Sequence, residues 1–205
     1  MSKKEPKARQ EQNPGKKKQR RPDARIRRTH ERLGSAMMDL IRQKSMDSIS
    51  VQEVLDRAAV GRSTFYLYYR DKNDLLLSQL EMFLEHMSTM LSVRNEASDR
   101  VAPVTEMFDH VSQQQKAYRG LAESGVLDDF FMLAQGYFER GIERRLSASK
   151  RTAGISQAEL RARSVALSGS LLALFRWWID HGAKEPASEV DKLFHRMVWS
   201  GMTAK

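Results

Sequence analysis

Residues 50–77, SVQEVLDRAAVGRSTFYLYYRDKNDLLL, decide the fold of this chain. Ser50 and Glu53 have the Ser-x-x-Glu spacing of a capping box, in which each side chain satisfies a free backbone N–H at a helix start. Apolar residues then recur three and four positions apart, which predicts one buried helical stripe. They are Val51, Val54, Leu55 and Ala58.

A tight turn and two further helices follow this first helix. Gly61 breaks the apolar pattern, and glycine permits turns that other residues resist. A second short helix is predicted over residues 62–69, and Asp71 can cap a third that begins near Lys72. Two short helices about a small turn form a helix-turn-helix unit.

The second helix carries hydroxyl and guanidinium donors, which suit base edges and phosphates. Lys72 stands at a helix start, where a cation opposes the macrodipole, so a phosphate is expected beside it. An ordinary hairpin with a solvated polar face is the alternative, and three tyrosines within one turn count against it. The predicted DNA contacts are Arg28, Ser50, Gln52, Arg62, Ser63, Thr64, Tyr66, Leu67, Tyr68 and Lys72. Phe65 and Tyr69 lie on the opposite side of the short helix and are predicted to serve folding.

Residues 27–80 resemble the N-terminal domain of the TetR/AcrR transcriptional regulators. The family signature begins with a turn that ends in Val. A recognition helix follows, in which Thr is succeeded by Phe or Leu and then by Tyr. Two residues separate the end of this helix from a Lys. Residues 60–69 read VGRSTFYLYY here, and Lys72 follows. The chain departs from the family at Ala59, where glycine is usual. The resemblance implies a dimeric regulator, typically a ligand-responsive repressor, on a palindromic operator in double-stranded DNA.

The excess charge of this chain lies in one terminal segment. Residues 1–28 hold twelve Lys and Arg against three acids, which accounts for the whole net charge of +9 among 205 residues. With little apolar surface to bury, residues 1–24 are expected to form a disordered basic arm. The arm is expected to follow the DNA backbone, although a solubilising role or a weaker lipid-surface role is also open.

Several classes of protein are disfavoured by composition. The chain has no cysteine and no long apolar run, and its start lacks an apolar signal segment. We therefore expect a cytoplasmic, nucleoid-associated protein without disulfides or membrane spans. Its five histidines lack metal-ligand spacing, and no phosphate loop or nucleophile elbow occurs. We expect no catalytic residues, no metal and no cofactor.

The rest of the chain shows only helical periodicity. Residues 171–182, followed by a helix led by Pro186, look like one C-terminal subclass of the same family, and most members dimerise through their last two helices. That implies a dimer interface at Leu167, Leu171, Leu174, Trp178, Leu193, Phe194 and Met197. An aromatic and methionine stripe indicates either plain core or a pocket for a small apolar effector. The candidate pocket residues are Met107, Phe108, Val111, Phe131, Tyr137, Phe138 and Trp177.

The predicted fold is all-α and TetR-like, with about nine helices. A three-helix helix-turn-helix DNA-binding domain (residues 25–75) precedes a C-terminal helical domain for effector binding and dimerisation (residues 76–205). The leading hypothesis is a dimeric, sequence-specific regulator. The alternative is a DNA-bound interaction protein whose C-terminal domain docks a protein partner. A closed apolar cavity in that domain would favour the first, and a filled core the second.

Overall fold

The computed structural model describes residues 24–114 and 126–200, together with Tyr118 and Leu121. These residues form eight α-helices and no β-strand, in agreement with the predicted all-α fold. The helices are α1 Ala24–Ile41, α2 Val51–Ala58, α3 Arg62–Tyr68, α4 Lys72–Val93, α5 Val104–Gln113, α6 Val126–Ala148, α7 Gln157–Asp180 and α8 Ala187–Ser200. Two 3-10 turns occupy Met46–Ser48 and Lys150–Thr152. The predicted arm lies outside the described residues, except that Ala24 begins α1.

Two predicted helix starts are confirmed, and a third helix start is capped in the same way. The Ser50 hydroxyl accepts from the Glu53 N–H at 3.3 Å, and the Glu53 carboxylate accepts from the Ser50 N–H at 2.9 Å, which completes the capping box. Asp71 accepts from two N–H groups of the first turn of α4 at 2.8 and 2.9 Å. Ser156 caps α7 by accepting from the Glu159 N–H at 3.2 Å. These caps satisfy backbone donors that the helices leave free.

The carboxylate of the first capping box is strongly held in its charged form. Lys44 donates to Glu53 at 2.5 Å, and this hydrogen bond, with those from Ser50, lowers the pKa of Glu53 to about 2. A carboxylate whose pKa is lower in the folded state than in the unfolded state stabilises the fold at pH values above its unfolded pKa. That stabilisation is lost as the pH falls through the folded pKa. The box therefore stabilises the start of α2 fully at neutral pH, and this stabilisation declines as the pH falls from 4.5 toward about 2.

Helix α4 links the two ends of the molecule. Its first turns pack on α1, its later turns pack on α6, α6 packs on α7, and α5 packs on α8. A Cβ atom at Gly141 would collide with the Ser88 carbonyl oxygen, so α4 and α6 cross with backbones in contact. A Cβ atom at Gly34 would likewise collide with the Gln79 side chain, so α1 and α4 also approach closely. In the described part of the chain, no helix is long and apolar enough to cross a membrane.

Candidate nucleic-acid interface

Helix α3 has one buried and one exposed side. Phe65 and Tyr69 are buried in the hydrophobic core, which confirms their predicted placement. Tyr66 is 50% exposed and Leu67 is 72% exposed, and Arg62 and Ser63 also face solvent. An exposed row of donors and apolar groups on a short second helix is what reading of base edges in a major groove requires.

The other predicted contacts on α2 and α3 are of two kinds. Some lie on the same exposed surface, and others are half-buried or already hydrogen-bonded within the protein. Arg62 donates to the Gln52 amide oxygen at 3.3 Å, so α2 holds the guanidinium at the start of α3. Gln52 in turn donates to Asp56 at 2.8 Å. Thr64 is half-buried, and the Ser50 hydroxyl is already engaged in the capping box. The structure thus brings Gln52 and Arg62 together on the exposed side of the helix pair.

Helix α1 supports the far end of α3. Tyr68 is half-buried with its ring 4.7 Å from the His30 ring, and His30 also forms a hydrogen bond with the Tyr69 hydroxyl. Arg28 is exposed on α1, two residues before His30. Tyr68 therefore combines a packing role with its partly exposed position, which the sequence pattern alone did not indicate.

The reason given for Lys72 from the sequence is wrong. Its ammonium group donates to the carbonyl oxygens of Met46, Asp47 and Ile49 at 2.8, 3.1 and 2.8 Å. These carbonyls belong to the 3-10 turn and the residue after it, so the lysine ties that turn to the start of α4. An ammonium has three donors, and all three are used inside the protein. No phosphate is needed to explain a cation at this helix start.

The turn between α2 and α3 also differs from expectation. Gly61 has an ordinary φ of −69°, and a Cβ atom there would meet nothing within 4 Å. The left-handed residue is Ala59, with φ 47° and ψ 51°. Its carbonyl oxygen accepts from Arg32 of α1 at 2.8 Å, a contact that no local motif indicates. Ala59 is where the family usually has glycine, and its conformation supplies the physical reason.

We expect Ala59→Gly to stabilise the protein. A left-handed conformation costs an L-residue about 1–2 kcal/mol, whereas glycine loses about 0.5–1 kcal/mol more backbone entropy on folding. The difference predicts a gain of up to about 1.5 kcal/mol, seen as a raised midpoint in urea unfolding. Gly61→Ala is the matched control. Because φ at Gly61 is already ordinary, this variant has no strain to relieve and should show no gain from that cause. A lower midpoint for Ala59→Gly would contradict the assigned backbone strain.

The candidate pocket residues mostly form packed core. Met107, Phe108, Val111 and Phe138 are buried, and the Phe108 ring lies 4.8 Å from the Trp178 ring. Phe131 and Tyr137 are half-buried against the same core. Trp177 instead faces outward beside His181, so its assignment to a pocket wall is wrong. None of these seven lines the clefts of the C-terminal half described below.

The predicted dimer seam is partly wrong as well. Leu171, Trp178 and Phe194 are buried inside their own protomer, and Leu167 and Leu174 pack against the same core. The outward apolar face of α7 is a different stripe at four-residue spacing, which the sequence reading missed. It comprises Val165, Gly169, Ala173 and Trp177. On α8, Leu193 is 39% exposed and Met197 is 52% exposed, so these two predicted residues remain available to a partner.

Comparison with known proteins agrees with this geometry. The tetR family of bacterial regulatory proteins matches the chain over residues 35–78. The uncharacterized HTH-type transcriptional regulator YdeS of Bacillus subtilis (strain 168) is 30% identical over 139 residues, which cover 65% of this chain and 68% of that protein. YvdT of the same strain, also an uncharacterized HTH-type transcriptional regulator, is 24% identical, with 62% and 72% covered.

The fold is shared with solved structures. The fatty acid degradation regulator FadR from Bacillus halodurans has a TM-score of 0.62 at 17% identity, covering 86% of this chain and 97% of that chain. A TetR transcriptional regulator from Streptococcus agalactiae 2603V has a TM-score of 0.57 at 24% identity, covering 86% and 96%. At these identities the likeness concerns the fold alone.

Proposed function

We propose that this chain, which belongs to the TetR family of bacterial regulatory proteins, is a dimeric repressor that binds a palindromic operator in double-stranded DNA. The observation that carries the proposal is the division of α3, which buries Phe65 and Tyr69 and exposes Arg62, Tyr66 and Leu67. Side chains at the start of a recognition helix contact base edges, and paired half-sites require a two-fold dimer.

The dimer is proposed to form through the outward faces of α7 and α8. Val165 and Trp177 on α7, with Leu193 and Met197 on α8, are large apolar side chains exposed on the last two helices. Gly169 and Ala173 between them are small, which lets a partner helix approach closely. Stable dimers bury about 1,200–2,000 Å² or more, a range that two long helices can supply.

A response to an effector is proposed to reach the DNA through α4. This helix is continuous from Lys72 to Val93 and so joins the recognition unit, which consists of helices α1 to α3, to the helices of the proposed C-terminal domain. A second connection is the hydrogen bond of 2.8 Å from Arg42, after α1, to Gln114, after α5. A ligand that favours a different tilt of α4 would change the separation of the two recognition helices and release the operator by population shift.

A second candidate function is supported by the packed C-terminal core. Among the described residues, the aromatic stripe fills space instead of lining a cavity, which favours a DNA-bound protein that docks a protein partner over one that binds a small apolar effector. The two can be separated by adding fractions of a cell extract to the operator complex. Release by the small-molecule fraction favours ligand response, and release by the protein fraction alone favours docking.

Sequence-specific binding is tested by a fluorescence anisotropy titration of the full chain. An operator duplex obtained by selection is compared with a scrambled duplex of equal length at one salt concentration. Specific binding should exceed non-specific binding by about 10³ or more. Equal affinity for the two duplexes would contradict the proposed function.

We also propose that the protein acts in the cytoplasm, where the operator is accessible, and that it has no catalytic activity.

We expect Leu67 to read a thymine methyl group in the operator. Its side chain is apolar, exposed on the recognition helix, and suited to the C5-methyl group of thymine in the major groove. Replacing one operator thymine by deoxyuridine removes a single methyl, worth about 0.8 kcal/mol, or about fourfold in affinity. A scan of deoxyuridine substitutions should find this loss at one position per half-site, and Leu67→Ala should remove it. An equal loss in both proteins would assign the methyl contact to another residue.

The N-terminal arm is proposed to contact phosphates. Deleting residues 1–23 removes most of the basic excess, and we expect the preferred operator to stay the same while the affinity falls. The slope of log K against log salt is about −0.9 per phosphate neutralised, so losing several contacts should flatten it by several units. An unchanged slope in the shortened protein would show that the arm does not bind DNA.

A further inference from the structure

Two adjoining clefts lie where loop 94–103, the 3-10 turn Lys150–Thr152 and helix α8 meet. Their volumes are about 510 and 670 Å³, and they share Asp99, Arg100, Arg151 and Trp199 as lining residues. Helix α4 separates this loop from the recognition unit by 22 residues, or about 33 Å at 1.5 Å per residue. A small molecule in these clefts would therefore be remote from the bases read by α3.

The loop forms a fixed wall of the clefts. The Arg145 guanidinium donates to the carbonyl oxygens of three loop residues at 2.7–2.9 Å. The Trp199 indole N–H donates to the Asp99 carbonyl oxygen at 2.9 Å, and the Val101 N–H donates to His195 Nε2 at 3.0 Å. A wall held by α6 and α8 in this way is organised before any ligand arrives, which lowers the cost of binding.

The acidic side chains that line the clefts are already neutralised. Asp99 pairs with Arg151 at 2.9 Å, and the Arg151 guanidinium also lies 4.2 Å from the centre of the Trp199 ring. Glu96 lies 3.6 Å from Arg100, which also pairs with Glu106 and Asp191, two carboxylates outside the lining. Arg100 is therefore fully compensated by carboxylates, Arg151 is compensated by Asp99, and the remaining cations determine what the clefts attract.

Three of those cations are unpaired. Arg144 of α6, Lys150 of the 3-10 turn and Arg196 of α8 line the clefts, and within the described ranges their side chains make no hydrogen bond or ion pair. Beyond residue 28 the chain has 23 basic and 23 acidic residues, so this local excess does not follow from overall composition. Unpaired cations on three separate elements around a concave site attract a ligand with more than one negative group.

We propose that these clefts bind a small anion carrying at least two phosphate or carboxylate groups. One anionic group would be held by Arg144 and Lys150 and another by Arg196, with the exposed side of Arg151 between them. Such a ligand would join α6, α8 and the loop that continues directly from α4. The role of this ligand as the effector rests on the proposed function. Binding of the anion itself does not, because it does not require DNA.

The test is calorimetry on the full chain without DNA, with inorganic pyrophosphate and citrate as probes at matched ionic strength. The cleft variant is Arg144→Gln/Lys150→Gln/Arg196→Gln. The control variant, Arg57→Gln/Arg161→Gln/Lys184→Gln, removes the same charge from exposed cations outside the two clefts. We expect one site per protomer for at least one probe, with affinity at least tenfold lower in the cleft variant and unchanged in the control. The preferred probe identifies phosphate or carboxylate as the ligand chemistry.

Equal weakening in both variants would show general charge attraction and overturn the proposal. The proposal would also be overturned if neither pyrophosphate nor citrate bound to the wild type. If the cleft variant binds the probes normally but loses affinity for duplex DNA, the cations contact nucleic acid and the proposal is wrong. Circular dichroism of both variants separates these outcomes from misfolding. We expect both variants to fold, because all six replaced residues are exposed. Operator binding by the wild type is measured separately. Failure of the anion site would therefore leave the proposed function standing, and failure of operator binding would leave the anion site standing.

Discussion

Replacing Phe65 by alanine is expected to unfold the recognition unit, whereas replacing the adjacent Tyr66 should leave it folded and unable to select its operator. Phe65 is fully buried in the hydrophobic core, and truncation of a buried phenylalanine costs about 3–5 kcal/mol. That cost is comparable to the whole stability of a small unit. Loss of helical signal and of operator-specific binding should therefore occur together in Phe65→Ala.

Tyr66→Ala should behave in the opposite way. Half of this side chain is exposed, so the urea midpoint should change little. A good contact to a base edge is worth about 1–3 kcal/mol, which predicts operator binding weakened by about tenfold or more and nearly unchanged binding to scrambled DNA. If Tyr66→Ala lowered both affinities equally, Tyr66 would be a phosphate contact. If Phe65→Ala stayed folded, the burial of α3 described here would be wrong.

Splitting the proposed dimer should have the other large effect. In Leu193→Glu/Met197→Glu, two carboxylates would have to enter an apolar seam without partners, and burial of an unpaired charge costs far more than one such contact contributes. We expect a monomer in sedimentation at micromolar concentration, with an unchanged helical signal. Operator affinity should fall toward that for non-specific DNA, on the order of a thousandfold.

The matched control for the dimer is Met82→Glu/Val93→Glu. These two apolar residues of α4 are at least as exposed as Leu193 and Met197, but they lie on a different helix. The control should stay dimeric and keep its operator affinity. A dimeric Leu193→Glu/Met197→Glu protein, or a monomeric control, would place the interface elsewhere on the molecule.

Local features of the sequence were sufficient to predict the helix starts. Ser50 with Glu53, Asp71 and Ser156 act within three residues along the chain, so their spacing alone predicts the cap. Lys72 shows where such reasoning fails, because the carbonyls that bind it lie 23–26 residues earlier. Ala59 and Gly61 show a second failure, since composition suggests the glycine while the backbone places the left-handed residue two positions before it.

Helical periodicity located the apolar stripes but not their partners. Helix α7 carries apolar residues on two sides, so spacing cannot decide between Leu171, which is buried, and Val165, which is exposed. That choice is made by how α6 packs against α7. The same limit applies to Phe108, because an aromatic stripe has one sequence pattern whether its rings fill a core or line a pocket.

Two copies of α3 are proposed to read a two-fold symmetric operator. The decisive experiment is selection of bound duplexes from random DNA by the full chain, followed by sequencing. We predict enrichment of an inverted repeat whose half-sites are separated by one helical turn, about 34–36 Å, or a multiple of it, and loss of that enrichment with Tyr66→Ala. Absence of any enriched sequence, or the same enriched sequence with Tyr66→Ala, would contradict the assignment of α3 as the reading helix.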